Sequence, residues 1–237
     1  MTLPVYYYHR VGPFRNGAPR KMNVSPEAFR EHMSVLARRA HPVAISDLVA
    51  CAKDGRPYPR GAVAVTFDDG YKDLMEHALP VLKEFKIPAA FFIVSGGVGG
   101  TDAWNRIEGV PNEPILSWDD LKRLRDEGMT IGSHSATHAR LDGLHGEALR
   151  EESEGSRREL QSRLGIQVRH FAYPQGRYSA EAEKMVADTG YVAGWATRKG
   201  RPLAPGDVTA IRRVPVSGVI RGGRFRWELF LMRVGIR

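Results

Sequence analysis

Short runs of β-branched and aromatic residues alternate with longer amphipathic stretches along most of this 237-residue chain. The alternation predicts repeated strand–helix units, and therefore a mainly parallel sheet covered by helices. We expect strands at residues 4–8, 42–45, 62–67, 89–94, 129–133, 170–173, 191–196 and 210–216. Seven or eight such units favour an irregular (β/α) barrel of about seven strands, with an open doubly wound sheet as the alternative.

Serine and glycine mark the ends of the helices predicted between these strands. Ser25 is followed by Pro26, which is the pattern of an N-cap with proline in the first turn. Further N-caps are predicted at Ser46, Ser117 and Ser179, and C-terminal stops at Gly128 and Gly190. Residues 95–114 interrupt this rhythm and predict a long loop. Its glycines lack the Gly-Lys-Ser/Thr of a phosphate-binding loop and are interpreted as a flexible connection.

The composition is that of a globular protein, with 42% hydrophobic and 26% charged residues. No linker divides the chain, so we expect residues 1–237 to form a single catalytic domain, although two domains of about 120 residues are the alternative by length. The single cysteine, Cys51, lies in an apolar stretch and is expected to be a buried thiol rather than a nucleophile.

The net charge of +8 favours acidic partners, but the basic residues are scattered. No helix-turn-helix or zinc-finger pattern is present, so no nucleic-acid partner is expected. The chain starts without a signal-peptide pattern and contains no run of 18 apolar residues, which predicts a cytoplasmic protein. Residues 225–234 are apolar with basic ends, and they either seal the barrel or make a peripheral contact with an anionic membrane surface.

Two polar motifs follow predicted strands. Asp68 and Asp69 come directly after the strand at 62–67 and precede a glycine, an arrangement that alone also fits a simple turn. His134 and His138 follow the strand at 129–133, and on a helix their spacing would place both rings on one face. Two imidazoles and one carboxylate make a mixed metal site with open positions, as in catalytic zinc centres.

Two further polar features have the same placement at strand ends. His9 follows the first predicted strand, and Tyr173-Pro174-Gln175-Gly176 follows the strand that starts at His170. Because the carboxyl ends of parallel strands meet on one face of a β/α barrel, we expect these residues to converge with the two motifs above.

At this point the sequence resembles a known family. The segments TFDDG (66–70), SHSATH (133–138) and FAYPQG (171–176) resemble, in that order, the successive motifs of the NodB-homology polysaccharide deacetylases, carbohydrate esterase family 4. The resemblance extends over residues 3–216. The segment YYHRV (7–11) is most similar to the poly-N-acetylglucosamine deacetylase branch.

The resemblance implies a role for each matching residue. Asp68 would be the general base, and Asp69, His134 and His138 would bind a divalent metal, with Zn²⁺ expected ahead of Co²⁺ or Ni²⁺. The backbone N–H of Gln175 would stabilise the oxyanion. The chemistry agrees, because a metal lowers the pKa of bound water and a carboxylate can then take its proton.

The sequence departs from the family pattern at two positions. Many members carry an arginine, which orients the base, where this chain has Ala172, and a tyrosine where it has Gln175. The second change matters little if the oxyanion donor is a backbone N–H. Arg213, at the end of the strand predicted at 210–216, is expected to replace the missing arginine in orienting the base. The alternative is that Arg213 is an ordinary surface cation.

His9 is predicted to be the general acid. Amide hydrolysis needs a proton for the departing amine, and a histidine that binds the metal cannot readily supply it. The family's acid comes late in the chain, but no histidine follows Tyr173 here. His9 then corresponds to the rearranged motif order of the poly-N-acetylglucosamine deacetylases. His145 and His170 are the other candidates.

These residues predict a hydrolase that removes N-acetyl groups from N-acetylhexosamine residues of a polysaccharide or glycan precursor. Substrate contacts are expected from Tyr173, Trp195 and Leu141, and stacking from Trp104 and Trp118 is also open, although core packing is the alternative for each aromatic ring. The competing functions are a metal-binding carbohydrate-binding protein that has lost turnover, and a nucleic-acid binder supported by the basic pI alone.

Overall fold

The sheet is curled and parallel. The computed structural model describes residues 3–14, 22–108, 110–197, 200–204, 206–218, 220 and 222–233. Its strands are β1 (Val5–Tyr8), β2 (Arg10–Val11), β3 (Asn23–Val24), β4 (His41–Pro42), β5 (Ala62–Phe67), β6 (Ala89–Ile93), β7 (Thr130–Ser133), β8 (His170–Ala172), β9 (Ala193–Trp195) and β10 (Val214–Pro215). Seven of them pair in the order β10-β1-β5-β6-β7-β8-β9, β4 adds to β5, and β2 and β3 form a separate pair.

Helices connect most of these strands. They are α1 (Pro26–Arg39), α2 (Ile45–Lys53), α3 (Leu74–His77), α4 (Leu79–Glu84), α5 (Trp118–Asp126), α6 (Gly146–Arg150), α7 (Ser156–Leu164), α8 (Ala180–Asp188) and α9 (Gly222–Arg233). From β5 to β9 the strand neighbours follow chain order and every pair in the sheet is parallel. The irregular β/α barrel predicted from the sequence is therefore confirmed, and the doubly wound alternative is not found.

Most of the predicted helix ends are correct, and one is wrong. The hydroxyls of Ser25, Ser117 and Ser179 accept hydrogen bonds from the first turns of α1, α5 and α8. Ser46 is not an N-cap, because α2 begins at Ile45. Its hydroxyl instead contacts Nε2 of His170 at 3.0 Å.

The apolar residues pack in two buried clusters, of which the larger contains the aromatic side chains between the sheet and α1. Phe225 and Leu229 of α9 are buried, and the Phe225 ring stacks on His32 at 4.2 Å between centroids. This part of the 225–234 stretch therefore seals one side of the barrel. Val234 lies outside the described residues, and membrane contact stays a prediction. No helix in the described ranges is long and apolar enough to cross a membrane.

Candidate metal centre and active site

The turn after β5 places the carboxylate of Asp69 in the protein interior. Asp69 adopts a left-handed conformation with φ 71°, and Gly70 follows with φ 76°. Asp69 is 1% exposed, and neither of its carboxylate oxygens has a hydrogen-bond partner among the described residues. A buried carboxylate without donors is costly unless a cation compensates it, so this residue fits a metal ligand.

The two histidines approach this carboxylate from the loop after β7. Nε2 of His134 and Nε2 of His138 lie 3.5 and 3.3 Å from Oδ1 of Asp69. Ligand atoms of the three residues lie within 4.8 Å of one another, a separation that a single ion can bridge. The helical interpretation of this motif is wrong, because Ser135 and His138 have positive φ values and the segment is a loop.

A backbone contact sets the protonation of His134. Its Nδ1 lies 2.7 Å from the carbonyl oxygen of Ala172, so this nitrogen carries the proton and donates it. Nε2, which faces Asp69, is left with a lone pair for a metal. Burial lowers the pKa of His134 to about 4, which keeps the ring neutral near pH 7.

Asp68, the other member of the pair, is held by Arg213. The guanidinium donates from Nη1 to Oδ1 at 2.6 Å and from Nη2 to Oδ2 at 2.8 Å. Burial raises the pKa of Asp68, but the guanidinium and His134 outweigh it and the net pKa lies below its usual range. The Arg213 side chain is fully buried and lies just before β10, rather than at the end of a long strand. Arg213 thus supplies Asp68 with a guanidinium partner, which the residue at position 172, an alanine, does not.

The remaining predicted catalytic residues line one cavity of about 430 Å³. Half-buried His9 and exposed Gln175 share its wall with Asp68, Asp69 and both motif histidines. Gln175 lies in a tight turn with φ 56°. The alternative acids lie elsewhere: His145 pairs with Glu181 at the surface, and His170 is buried against Trp195. Among the histidines that are not candidate ligands, only His9 therefore lines the cavity.

The predicted sugar-binding side chains are buried. Tyr173, Trp195 and Leu141 are each 0% exposed, and none of them lines the cavity. The Tyr173 hydroxyl donates to the carbonyl oxygen of Thr209, and Trp195 Nε1 donates to His170. In this structure their faces are covered by protein, so their contact with a sugar stays a prediction that the burial does not favour.

The structure adds residues that the sequence patterns did not indicate. The cavity wall also contains Tyr7, Met22, Asn105, Thr197 and Pro215. Met22 and Asn105 are shared with a neighbouring cavity of about 150 Å³. Asn105 lies in the irregular 95–114 loop, where periodicity carries no information, whereas Tyr7 could have been found from its place beside His9.

That loop is also more closely packed than a flexible connection. A Cβ on Gly96 would lie 2.8 Å from the carbonyl oxygen of Ala136, and one on Gly97 would lie 2.6 Å from the Trp104 ring. Gly96 and Gly97 are therefore required for close approach, whereas a Cβ on Gly99 would meet nothing within 4 Å. The interpretation as a flexible connection does not fit Gly96 and Gly97.

Comparison with known proteins identifies the family. Residues 55–194, more than half of the chain, match the family described as polysaccharide deacetylase. The chain belongs to the polysaccharide deacetylase family. The matched residues include both carboxylates, both motif histidines and Gln175, whereas His9 and Arg213 lie outside them. The family resemblance inferred from the motifs is confirmed.

The relatives named as deacetylases are longer than the part of them that this chain matches. YxkH of Bacillus subtilis, named as a polysaccharide deacetylase, is 27% identical over 225 residues, which are 94% of this chain and 74% of YxkH. The poly-β-1,6-N-acetyl-D-glucosamine N-deacetylase of Escherichia coli K12 is 30% identical over 122 residues. That match covers 49% of this chain and 18% of the E. coli protein.

Solved structures share the fold over nearly the whole chain. IcaB from Ammonifex degensii superposes with a TM-score of 0.79 at 26% identity, covering 95% of this chain and 97% of IcaB. The deacetylase PplD of Streptococcus pyogenes superposes with a TM-score of 0.83 at 18% identity, covering 97% and 98% of the two chains. The second likeness concerns the fold alone.

Proposed function

We propose that this protein is a metal-dependent hydrolase that removes N-acetyl groups from N-acetylhexosamine residues of a polysaccharide or glycan precursor. The observation that carries the proposal is the buried Asp69 carboxylate, which has no hydrogen-bond donor among the described residues and faces Nε2 of His134 and His138. Three protein ligands with open positions are typical of a catalytic zinc site. Zn²⁺ is the expected ion, with Co²⁺ or Ni²⁺ as substitutes.

The comparisons support the substrate class. The family is named for polysaccharide deacetylation, and the E. coli relative is named as a deacetylase of poly-β-1,6-N-acetyl-D-glucosamine. The second cavity, which shares Met22 and Asn105 with the first, offers room for a neighbouring sugar unit. The fold match over 95% of the chain supports a single catalytic domain.

Asp68 is the proposed general base. A bound divalent ion supplies Lewis-acid polarisation of the acetyl carbonyl and lowers the pKa of a water. Asp68 then takes the proton from the attacking water, because its carboxylate lines the same cavity as the candidate ligands. Arg213 orients both oxygens of Asp68 and holds it ionised. No arginine among the described residues pairs with Asp69, so the two adjacent carboxylates differ in role.

His9 and Gln175 complete the proposed mechanism. His9 donates a proton to the departing amine nitrogen, since it lies on the cavity wall and is not one of the three candidate ligands. The backbone N–H of Gln175, in the turn after β8, is proposed to stabilise the oxyanion that forms from the acetyl carbonyl. Collapse of that oxyanion breaks the C–N bond and leaves acetate and the protonated amine.

The experiment compares variants of the two carboxylates. Asp69→Ala should lower Zn²⁺ occupancy in elemental analysis, whereas Asp68→Asn should keep the metal and lose about 10²-fold or more of the acetate release rate. β-1,6-linked and β-1,4-linked N-acetylglucosamine oligosaccharides are the substrates. Asp119→Ala is the matched control, because this aspartate is exposed at the start of α5.

Three results would contradict the proposal. Full acetate release by protein shown to be free of metal would exclude the metal role. Wild-type turnover by Asp68→Asn would exclude the general base. Zn²⁺ and oligosaccharide binding without acetate release from any substrate would favour a carbohydrate-binding protein that has lost turnover.

A further inference from the structure

The two candidate histidine ligands are held in different ways. A metal-binding histidine usually donates its second ring nitrogen to a protein acceptor, which orients the ring. His134 follows this pattern through the carbonyl oxygen of Ala172. In the part of the chain that the structure describes, the ring nitrogens of His138 make no hydrogen bond or ion pair other than the contact of Nε2 with Asp69. Ring contacts are therefore what can orient the His138 ring, and one of them is an edge contact with His134 at 5.1 Å between centroids.

Trp104 occupies the place from which that orientation can come. Its indole stacks on the His138 imidazole with 5.4 Å between centroids and 26° between ring planes. The indole Nε1 is buried and has no hydrogen-bond partner among the described residues. The contact with His138 is therefore made by the ring face rather than by a hydrogen bond.

The segment that carries Trp104 is anchored to the strand end that carries Asp69. Trp104 is the central residue of the short helical turn Ala103–Asn105. The Tyr71 hydroxyl donates to Asp102 at 3.0 Å and accepts from the Asn105 amide at 2.8 Å, so it joins residues on both sides of Trp104. Tyr71 itself lies two residues after Asp69.

The other edge of the indole is confined by a glycine. A Cβ at Gly97 would lie 2.6 Å from the indole Cζ3 and 2.9 Å from Cη2. No side chain can occupy that position without moving the ring. Trp104 is thus packed between the backbone of the 95–114 loop and the imidazole of His138.

We propose that Trp104 is a positioning residue that holds the His138 ring in the geometry of a metal ligand. The proposal rests on the metal site of the proposed function. A hydrogen bond to Ala172 orients the His134 ring, and in this proposal a stacking contact with Trp104 orients the His138 ring. It also gives the 95–114 loop a role in metal affinity, although none of its described residues is among the three candidate ligands.

The test measures metal affinity rather than turnover. The dissociation constant for Zn²⁺ is obtained by competition with a chromophoric chelator, and the Co²⁺ absorption spectrum reports the ligand geometry. Trp104→Ala should weaken Zn²⁺ binding about tenfold to hundredfold and alter the Co²⁺ spectrum. Trp104→Phe should recover most of the affinity, because a phenyl ring can stack on the imidazole.

Tyr71→Phe provides a test in which the indole is retained. Loss of the hydroxyl removes its hydrogen bonds to Asp102 and Asn105 and should weaken Zn²⁺ binding, in the same direction as Trp104→Ala. Trp118→Ala is the matched control, because Trp118 is also half-buried at the edge of the core but packs against Arg163. Circular dichroism of each variant shows that the fold is retained, and if Trp104→Ala does not fold, Trp104→Phe and Tyr71→Phe decide the question.

The outcomes separate this proposal from the proposed function. Wild-type Zn²⁺ affinity and an unchanged Co²⁺ spectrum in Trp104→Ala and Tyr71→Phe would overturn the positioning role alone. Equal losses in Trp104→Ala and Trp104→Phe would overturn stacking as the cause. Zn²⁺ binding that depends on Trp104, in a protein that releases no acetate, would overturn the proposed function but not the positioning role. A wild-type protein that binds no metal would overturn both.

Discussion

The buried pair of Arg213 and Asp68 allows a quantitative prediction. Both side chains are almost completely enclosed, and two hydrogen bonds of 2.6 and 2.8 Å join them. Arg213→Met would leave the carboxylate of Asp68 without its cation in the interior. Removing one partner of a buried ion pair costs about 3–5 kcal/mol of unfolding free energy. Arg213→Lys keeps the positive charge but cannot make both hydrogen bonds to Asp68. It should therefore lower the unfolding free energy by about 1.5–3 kcal/mol, the value of one hydrogen bond to a charged group.

Urea unfolding, followed by circular dichroism, measures these differences. The double variant Arg213→Met with Asp68→Asn should be more stable than Arg213→Met alone, because no unpaired carboxylate remains. Arg140→Met is the control: Arg140 pairs with Asp142 at the exposed surface, where water screens the pair, so its loss should cost far less than the loss of Arg213. A loss in Arg213→Met no larger than that of Arg140→Met would refute the reasoning.

Three further predictions use the same kinds of measurement. His9→Ala should bind Zn²⁺ normally and lose about 10²-fold to 10⁴-fold in kcat for acetate release, and an unchanged kcat would exclude the acid role. Burial lowers the pKa of His32 in the folded protein to about 4, below its value of about 6.5 in the unfolded chain. As the pH falls below about 6.5, the His32 ring is therefore protonated in the unfolded chain before it is protonated in the folded protein. His32 should therefore remove about 2 kcal/mol of unfolding free energy between pH 7 and pH 5, and His32→Gln should lack that part of the pH dependence. Ser117→Ala removes the capping box of α5 and should cost about 1 kcal/mol in urea unfolding, whereas no change would mean that the cap is redundant.

The sequence by itself determined the order of the main strands and the position of the candidate ligands, but it did not predict the short strands β2 and β3. The strand predicted at 62–67 matches β5 residue for residue, because six consecutive buried apolar or β-branched positions are a local pattern. Asp69 and His134 follow β5 and β7, and parallel strands bring their carboxyl ends to one face. These features follow from the pattern of adjacent residues, and that pattern can be read directly from the sequence.

Only the tertiary structure decided which distant side chains meet at the site. Arg213 reaches Asp68 across 145 residues, and the contact depends on where the segment between β9 and β10 returns to the sheet. Trp104 stacks on His138 because Gly97 leaves room for the indole, and the same sequence letters would equally suit a flexible loop. Trp195 is enclosed although it ends a strand beside the mouth. Burial and long-range pairing follow from the packing of whole elements against one another, and no local pattern of residues encodes them.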